Sequence, residues 1–130
     1  MKIEVFFDGS KGVNAVVNEH IIKTDQPKEA GGDNSAPTPF DLFLASLATC
    51  AGFYVKSFCD QRNLPTNKIR IFQDMEYDPV TKLVAKINIE IQVPEDFPEK
   101  YHEALIAVAG KCKVKQHLQH PPAIQVSVRA

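Results

Sequence analysis

The longest regular pattern in the chain is an alternation of apolar and polar residues. Leu83, Ala85, Ile87, Ile89, Ile91 and Val93 are separated by Val84, Lys86, Asn88, Glu90 and Gln92, a period of two that predicts a strand with one covered face. Ile69, Ile71, Met75 and Tyr77 hold the same parity upstream, and Asp78-Pro79 supplies a turn between the runs, so together they predict a long hairpin. Shorter alternations open the chain. Ile3, Val5 and Phe7 are followed by Asp8-Gly9-Ser10-Lys11-Gly12, then Val13, Ala15 and Val17, then Asn18-Glu19 and a third run through Ile22. Three short antiparallel strands are expected there. At the other end His120-Pro121-Pro122 interrupts the chain, and Ile124, Val126 and Val128 predict a last strand.

Residues 25–37, rich in Pro, Gly, Asp, Asn and Ser, have no periodicity and are expected to form a loop. The character changes at Thr38-Pro39-Phe40-Asp41. Thr38 suits an N-cap, Pro39 the first helical position, and Asp41 the acidic first turn. Leu42 to Val55 is a run of 14 uncharged residues, short of the roughly 20 that span a membrane but enough for a helix buried nearly all round. That helix is expected to end near Asn63, ahead of Leu64-Pro65. After Pro94 and Pro98, Tyr101, Leu105 and Val108 fall at helical spacing, with Gly110 as the stop. The pattern is α+β: antiparallel sheets around a long central helix, in one domain over residues 1–130.

Charge narrows the possible partners. Fifteen Lys and Arg against sixteen Asp and Glu leave a net charge of −1 over 130 residues, so no general attraction to phosphate backbones or anionic lipid exists. Neither a nucleic acid nor a membrane is an expected partner. The N-terminus, MKIEVFFDGSKG, lacks a secretory apolar stretch. Three cysteines, Cys50, Cys59 and Cys112, are an odd number at wide spacing, which argues against a secreted disulfide scaffold. A cytoplasmic protein with reduced thiols is expected. Its size also bears on assembly. A compact chain of this length is roughly 36 Å across, whereas a helix over residues 38–63 would be about 39 Å long. The remaining elements cannot cover so long an apolar helix on every side. A homodimer, with the partner covering the open side, is the expected assembly; a concentration-independent monomer would remove that inference.

The cysteines carry the candidate chemistry. Cys50 lies mid-helix in Leu47-Ala48-Thr49-Cys50-Ala51-Gly52, among residues small enough to let a ligand or backbone approach. It reads either as a packed small hydrophobe or as a reactive thiol. Cys112, in Gly110-Lys111-Cys112-Lys113-Val114-Lys115, has three lysines that would favour its thiolate, or it is incidental to a solvated basic segment. Cys59, nine residues after Cys50, falls on the opposite side of the helix about 13.5 Å along its axis, too far to bridge to Cys50. If two thiols cooperate, they are Cys50 and Cys112. Cys112, His117, His120 and Cys50 offer sulfur and nitrogen for zinc, but their spacing matches no strong metal signature. Asp33 and Asp41 could form an acid pair, yet Asp41 is already explained at a helix start. No Gly-x-Ser-x-Gly, phosphate-binding glycine loop or Cys-x-x-Cys is present.

Thr38-Pro39-Phe40-Asp41-Leu42 through Ala45-Ser46-Leu47-Ala48-Thr49-Cys50, with Gly110-Lys111-Cys112-Lys113-Val114 and a closing strand, resembles the OsmC/Ohr family of osmotically inducible and organic hydroperoxide resistance proteins. The resemblance implies an OsmC-like fold in an intertwined α+β homodimer with sites at the interface. It also implies a mechanism that needs neither metal nor cofactor. Cys50 would attack the O–O bond of a small organic hydroperoxide and become a sulfenic acid. Cys112 would resolve it as a disulfide, and a small dithiol or lipoylated protein would reduce that disulfide. Phe40, Phe43 and Phe53 are candidates for the apolar approach of the substrate.

Two features depart from the family pattern. Family peroxidases carry an arginine before the first cysteine and a glutamate near the start of its helix. Here the first arginine is Arg62, and Phe40 stands at the glutamate position with Asp41 one step along, about 100° around the helix. Without a cation, burial is expected to raise the Cys50 pKa, unless Lys111, Lys113, His117 or a partner subunit replaces the arginine. Two other readings stay open: a non-catalytic member binding a small apolar or thiol ligand at the dimer interface, and a structural role in which both cysteines only pack.

Overall fold

The computed structural model describes residues 1–130 and divides into two compact units, residues 1–45 and 46–130. In the first unit the alternating runs pair as three antiparallel strands, β1 (Ile3–Asp8), β2 (Gly12–Val17) and β3 (His20–Ile22), in that spatial order. Ile3 lies opposite Val17, Val5 opposite Ala15 and Phe7 opposite Val13, while Ala15 also faces Ile22. The period of two therefore gathers the apolar side chains on one face. Gly9 and Asn18, at φ 68° and 54°, close the tight turns in the left-handed conformation that glycine and asparagine reach most readily.

The loop after β3 is held by a buried carboxylate. Asp25, 3% exposed, accepts hydrogen bonds from the Ser35 hydroxyl at 2.6 Å and from the backbone N–H groups of Gln26, Ser35 and Asp33 at 2.8, 3.0 and 3.2 Å. Gly32 is required there, because a β-carbon would stand 2.1 Å from the Gln26 carbonyl oxygen. The Ser35 hydroxyl, then the Ser35 and Gln26 amides, lower the Asp25 pKa from 3.8 to about 2 despite its burial. A carboxylate depressed in the fold stabilises it fully above its unfolded pKa, and that stabilisation is lost as pH falls through the folded value. Asp25→Asn is accordingly expected to flatten the acid-unfolding curve between about pH 4 and 2, followed by circular dichroism. An unchanged curve in that window would show that the carboxylate does not hold the loop.

Helix α1 (Pro39–Gln61) begins where Thr38 and Asp41 predict it. Thr38 Oγ1 accepts from the Asp41 N–H at 3.1 Å, and Asp41 Oδ2 accepts from the Thr38 N–H at 3.2 Å. This reciprocal cap satisfies two donors that a helix start leaves open and accounts for Asp41 without catalysis. At the far end Asn63 turns left-handed at φ 54°, and the Leu64 N–H returns to the Cys59 carbonyl at 2.9 Å. Twenty-three residues make α1 about 35 Å long. By length and composition alone it could cross a membrane, although its uncharged stretch is short; a third of its most apolar window is buried within the chain.

The second unit carries a core built on the latter half of α1. Val55, Phe58 and Cys59 share one helical face and are buried with Phe97 and Leu105; Leu64, Ile71, Ile91, Tyr101 and Val108 pack around them. A phenylalanine or leucine so placed is worth roughly 2–5 kcal/mol against alanine. The Arg62 guanidinium lies 3.7 Å from the centre of the Phe58 ring and donates to the Phe58 carbonyl at 3.1 Å. The hairpin consists of β4 (Arg70–Tyr77) and β5 (Val84–Gln92), with Ile71, Gln73 and Met75 opposite Ile91, Ile89 and Ile87. A register shift at Glu76/Tyr77 pairs Tyr77 with Val84 and Glu76 with Lys86. Ala85 becomes the extra residue of a bulge. Leu83, 69% exposed, therefore leaves the covered face that strict alternation assigns it.

Two expectations at the C-terminal end change. Helix α2 (His102–Ala109) stops at Gly110 as expected, but a further helix, α3 (Lys113–Gln119), follows Cys112 directly. No Ser, Thr, Asp or Asn caps it, so the usual start signal is missing from the sequence. The expected last strand does not form within the chain: residues 121–130 pair with nothing, and Ile124, Val126 and Val128 are 84, 92 and 97% exposed. A strand is defined by its hydrogen-bonded neighbour, and this chain offers that segment none.

Candidate functional site

Cys50 stands in the fourth turn of α1, half-buried, and Cys112 in the short connection between α2 and α3, 1% exposed. Both belong to the second unit, and the fold brings them together. The Cys112 sulfur lies 3.8 Å from the Leu47 carbonyl oxygen, on the turn of α1 that precedes Cys50. No disulfide joins them; all three cysteines are free thiols.

Their environments push the two thiols apart. Burial raises the Cys50 pKa, but the Val114 N–H, the Cys112 thiol, the Lys113 N–H and the Lys113 charge outweigh it, and the net direction is below the ordinary value of 9.0. For Cys112 burial dominates, the neighbouring Cys50 adds to it, and the net direction is upward. Proton and charge therefore separate: the thiolate is favoured at Cys50 and the neutral thiol at Cys112.

Two expectations are corrected by this arrangement. The lysines around Cys112 do not favour its own thiolate, because burial outweighs the Lys115 and Val114 amides that lower its pKa. Nor is Cys50 raised for want of a cation, because donors from the chain after Cys112 reach it. Those donors, the amides of Lys113 and Val114, were missed in the sequence, since backbone N–H groups leave no residue-type signal.

The other candidates separate. Phe53 is three residues beyond Cys50 and 64% exposed, with its ring edge-on to Tyr54 at 5.5 Å. Phe40 and Phe43 belong to the first unit, where their rings stack at 5.7 Å. Cys59 is fully buried in the core, and burial raises its pKa, so it is an inert packing residue. Of the atoms weighed for zinc, His117 Nδ1 is bonded to the Lys113 carbonyl at 2.7 Å, and no cluster of three or more His, Cys, Asp or Glu groups gathers anywhere in the chain.

Antiparallel sheets, three helices and a cysteine pair bridging the longest helix to the segment after α2 define an α+β protein of the OsmC type. The chain belongs to that family: the family described as OsmC-like protein matches residues 32–127. Solved structures agree on the fold. A Psychrobacter arcticus protein assigned to osmotic stress induction and the detoxification response superimposes with a TM-score of 0.71 at 22% identity, over 89% of this chain and 86% of that one. An OsmC-like protein of Mycoplasma pneumoniae gives 0.70 at 17% identity, over 92% and 87%. The organic hydroperoxide resistance protein OhrB of Bacillus subtilis gives 0.54 at 17% identity, over 92% and 90%. No curated protein matches the chain. Membership of a soluble family makes α1 a core helix rather than a membrane span.

Proposed function

We propose that this protein is a cysteine-based thiol peroxidase that reduces small organic hydroperoxides, working as a cytoplasmic homodimer of single OsmC-like domains. The observation that carries the reading is the cysteine pair itself: a half-buried Cys50 with its pKa lowered, and a buried Cys112 with its pKa raised, whose sulfur is seated 3.8 Å from the Leu47 carbonyl on the turn before Cys50. The names of related structures as hydroperoxide resistance proteins support the substrate class.

The Cys50 thiolate attacks the terminal peroxide oxygen. The O–O bond breaks, the departing alkoxide takes a proton from solvent and leaves as the alcohol, and Cys50 becomes a sulfenic acid. Cys112 loses its proton, attacks the Cys50 sulfur and expels water, leaving a Cys50–Cys112 disulfide. A dithiol, free or lipoyl, then reduces that bond by exchange and is itself oxidised to a disulfide. The balance is one hydroperoxide and one dithiol to one alcohol, one water and one disulfide. Phe53 supplies apolar surface for the alkyl group, and Phe40 and Phe43 remain further candidates for it.

Treating the reduced protein with one equivalent of cumene hydroperoxide, then alkylating under denaturing conditions, is expected to give a species two hydrogens lighter whose Cys50 and Cys112 peptides are linked. Unmodified thiols after exposure would overturn the peroxidase reading and leave a family member that binds a small apolar or thiol ligand without turning it over.

A further inference from the structure

Charge is unevenly distributed along the chain. Residues 104–130 hold four of the fifteen Lys and Arg and none of the sixteen Asp and Glu, so a chain of net charge −1 has a basic end and an acidic remainder. Three of those cations, Lys111, Lys113 and Lys115, bracket Cys112, and all three are exposed. None is paired with a carboxylate; the chain's ion pairs are Lys56 with Asp60 and Lys86 with Glu76. The backbone that carries them is fixed. The Lys111 N–H donates to the Val108 carbonyl at 3.1 Å and the Gln116 N–H to the Cys112 carbonyl at 3.0 Å, while Gln116 Nε2 donates to the Lys111 carbonyl at 3.1 Å. Lys115 turns back over this connection, its Nζ 3.6 Å from where a β-carbon on Gly110 would stand. Beneath the lysines the Cys112 sulfur is buried, 3.8 Å from the Leu47 carbonyl oxygen. Like charges held together in this way are stabilised by an anionic partner and speed its encounter.

We infer that Lys111, Lys113 and Lys115 form the docking surface of the reductant, whose dithiol is carried on an acidic protein surface. The inference rests on the proposed peroxidase cycle, in which the bond to be reduced joins Cys112 to Cys50. Three ammonium groups within five residues exceed what the single carboxylate of a small dithiol would use, and they fit a surface bearing several. An extended polyanion, nucleic acid or lipid, would meet the acidic remainder of the chain as well. In the exchange, one thiolate of the reductant attacks one sulfur of the Cys50–Cys112 disulfide and expels the other as a thiolate. The second reductant thiol attacks the mixed disulfide and frees the remaining cysteine. The reductant leaves as a disulfide, and its two protons pass to the two cysteines. The lysines act on the encounter, so their effect is screened by salt.

The test forms the disulfide with diamide, without peroxide, and times its reduction by two synthetic peptides. Each carries one dihydrolipoyl-lysine, flanked by four glutamates in one peptide and by four glutamines in the other, so that the dithiol is the same and only the charge differs. In the wild type the glutamate peptide is expected to be about tenfold faster at about 10 mM salt, and the ratio to fall close to one at about 0.5 M. Replacing the three lysines together, Lys111→Gln, Lys113→Gln and Lys115→Gln, is expected to bring the ratio close to one at low salt, whereas the three arginine replacements keep it. Taking the ratio cancels any change in the reactivity of the disulfide itself. A wild-type ratio near one, or a ratio that survives the glutamine replacements, overturns the inference. Free dihydrolipoate as fast as the glutamate peptide assigns the surface to a small dithiol and overturns the acidic carrier. A protein in which diamide links no Cys50 to Cys112 overturns the inference together with the disulfide step. The peroxidase reading fails separately: a disulfide that forms with diamide but never with hydroperoxide removes that reaction, and the ratio still decides the docking surface.

Discussion

Replacing Cys50 with serine is expected to abolish hydroperoxide turnover, a loss on the order of 10³-fold or more in kcat/KM. A serine hydroxyl at this site remains protonated at neutral pH and is a poor nucleophile toward a peroxide oxygen, whereas the lowered pKa of Cys50 favours its thiolate. Cys112→Ser is expected to behave differently. It keeps a hydroxyl donor beside Cys50, so the first attack survives, but the sulfenic acid cannot be resolved within the chain. Stopped-flow measurement with cumene hydroperoxide should then show consumption of one equivalent per chain followed by arrest, with Cys50 trapped by dimedone. The two variants separate attack from resolution. A Cys50→Ser protein that turns over at the wild-type rate would sink the mechanism outright. A Cys112→Ser protein that turns over freely with a dithiol would show that the reductant attacks the sulfenic acid directly.

How far the sequence led depended on which interactions are local. The hairpin was legible because Ile71, Met75, Ile87, Ile89 and Ile91 keep strict parity on both sides of a turn, and the same parity is the observed register. It failed only at Leu83 and Ala85, where a bulge breaks the period, and a bulge has no compositional mark when alanine occupies it. The start of α1 was legible because Thr38 and Asp41 are three apart and cap one another. Helix α3 was not, because its backbone begins at a cysteine and its apolar residues Val114 and Leu118 are too few to show a period.

The site was half legible for the same reason. Cys50 and Cys112 are visible as residue types, but their pairing is a tertiary contact across more than sixty residues. The sign of each pKa shift is set by burial and amide donors that no residue name encodes. Counting lysines beside Cys112 therefore pointed to the wrong thiol: charge close in sequence was outweighed by desolvation of one sulfur and hydrogen bonding to the other.

The residues with no place in either unit's own packing lead to the second large effect. Ile124, Val126 and Val128 keep the alternation of a half-covered strand yet stand 84 to 97% exposed. In the first unit Ile3, Val5 and Phe7 line one face of β1 at 53, 54 and 85% exposure. Scattered exposed apolar residues need no explanation, but a run with strand periodicity does. In the proposed homodimer these faces are covered by the partner subunit. Burying three branched side chains of the C-terminal run would contribute roughly 5 kcal/mol per copy, which is more than a thousandfold in dissociation constant. The wild type is expected to sediment as a dimer down to low micromolar concentration. Replacing Ile124, Val126 and Val128 together with glutamate is expected to yield monomer in the same range, with the core around Phe58 and Leu105 still folded by circular dichroism. A wild type that sediments as a monomer at every concentration removes the partner altogether. A triple variant that stays dimeric assigns the association to the faces of α1 and β1 instead, and leaves the C-terminal run outside it.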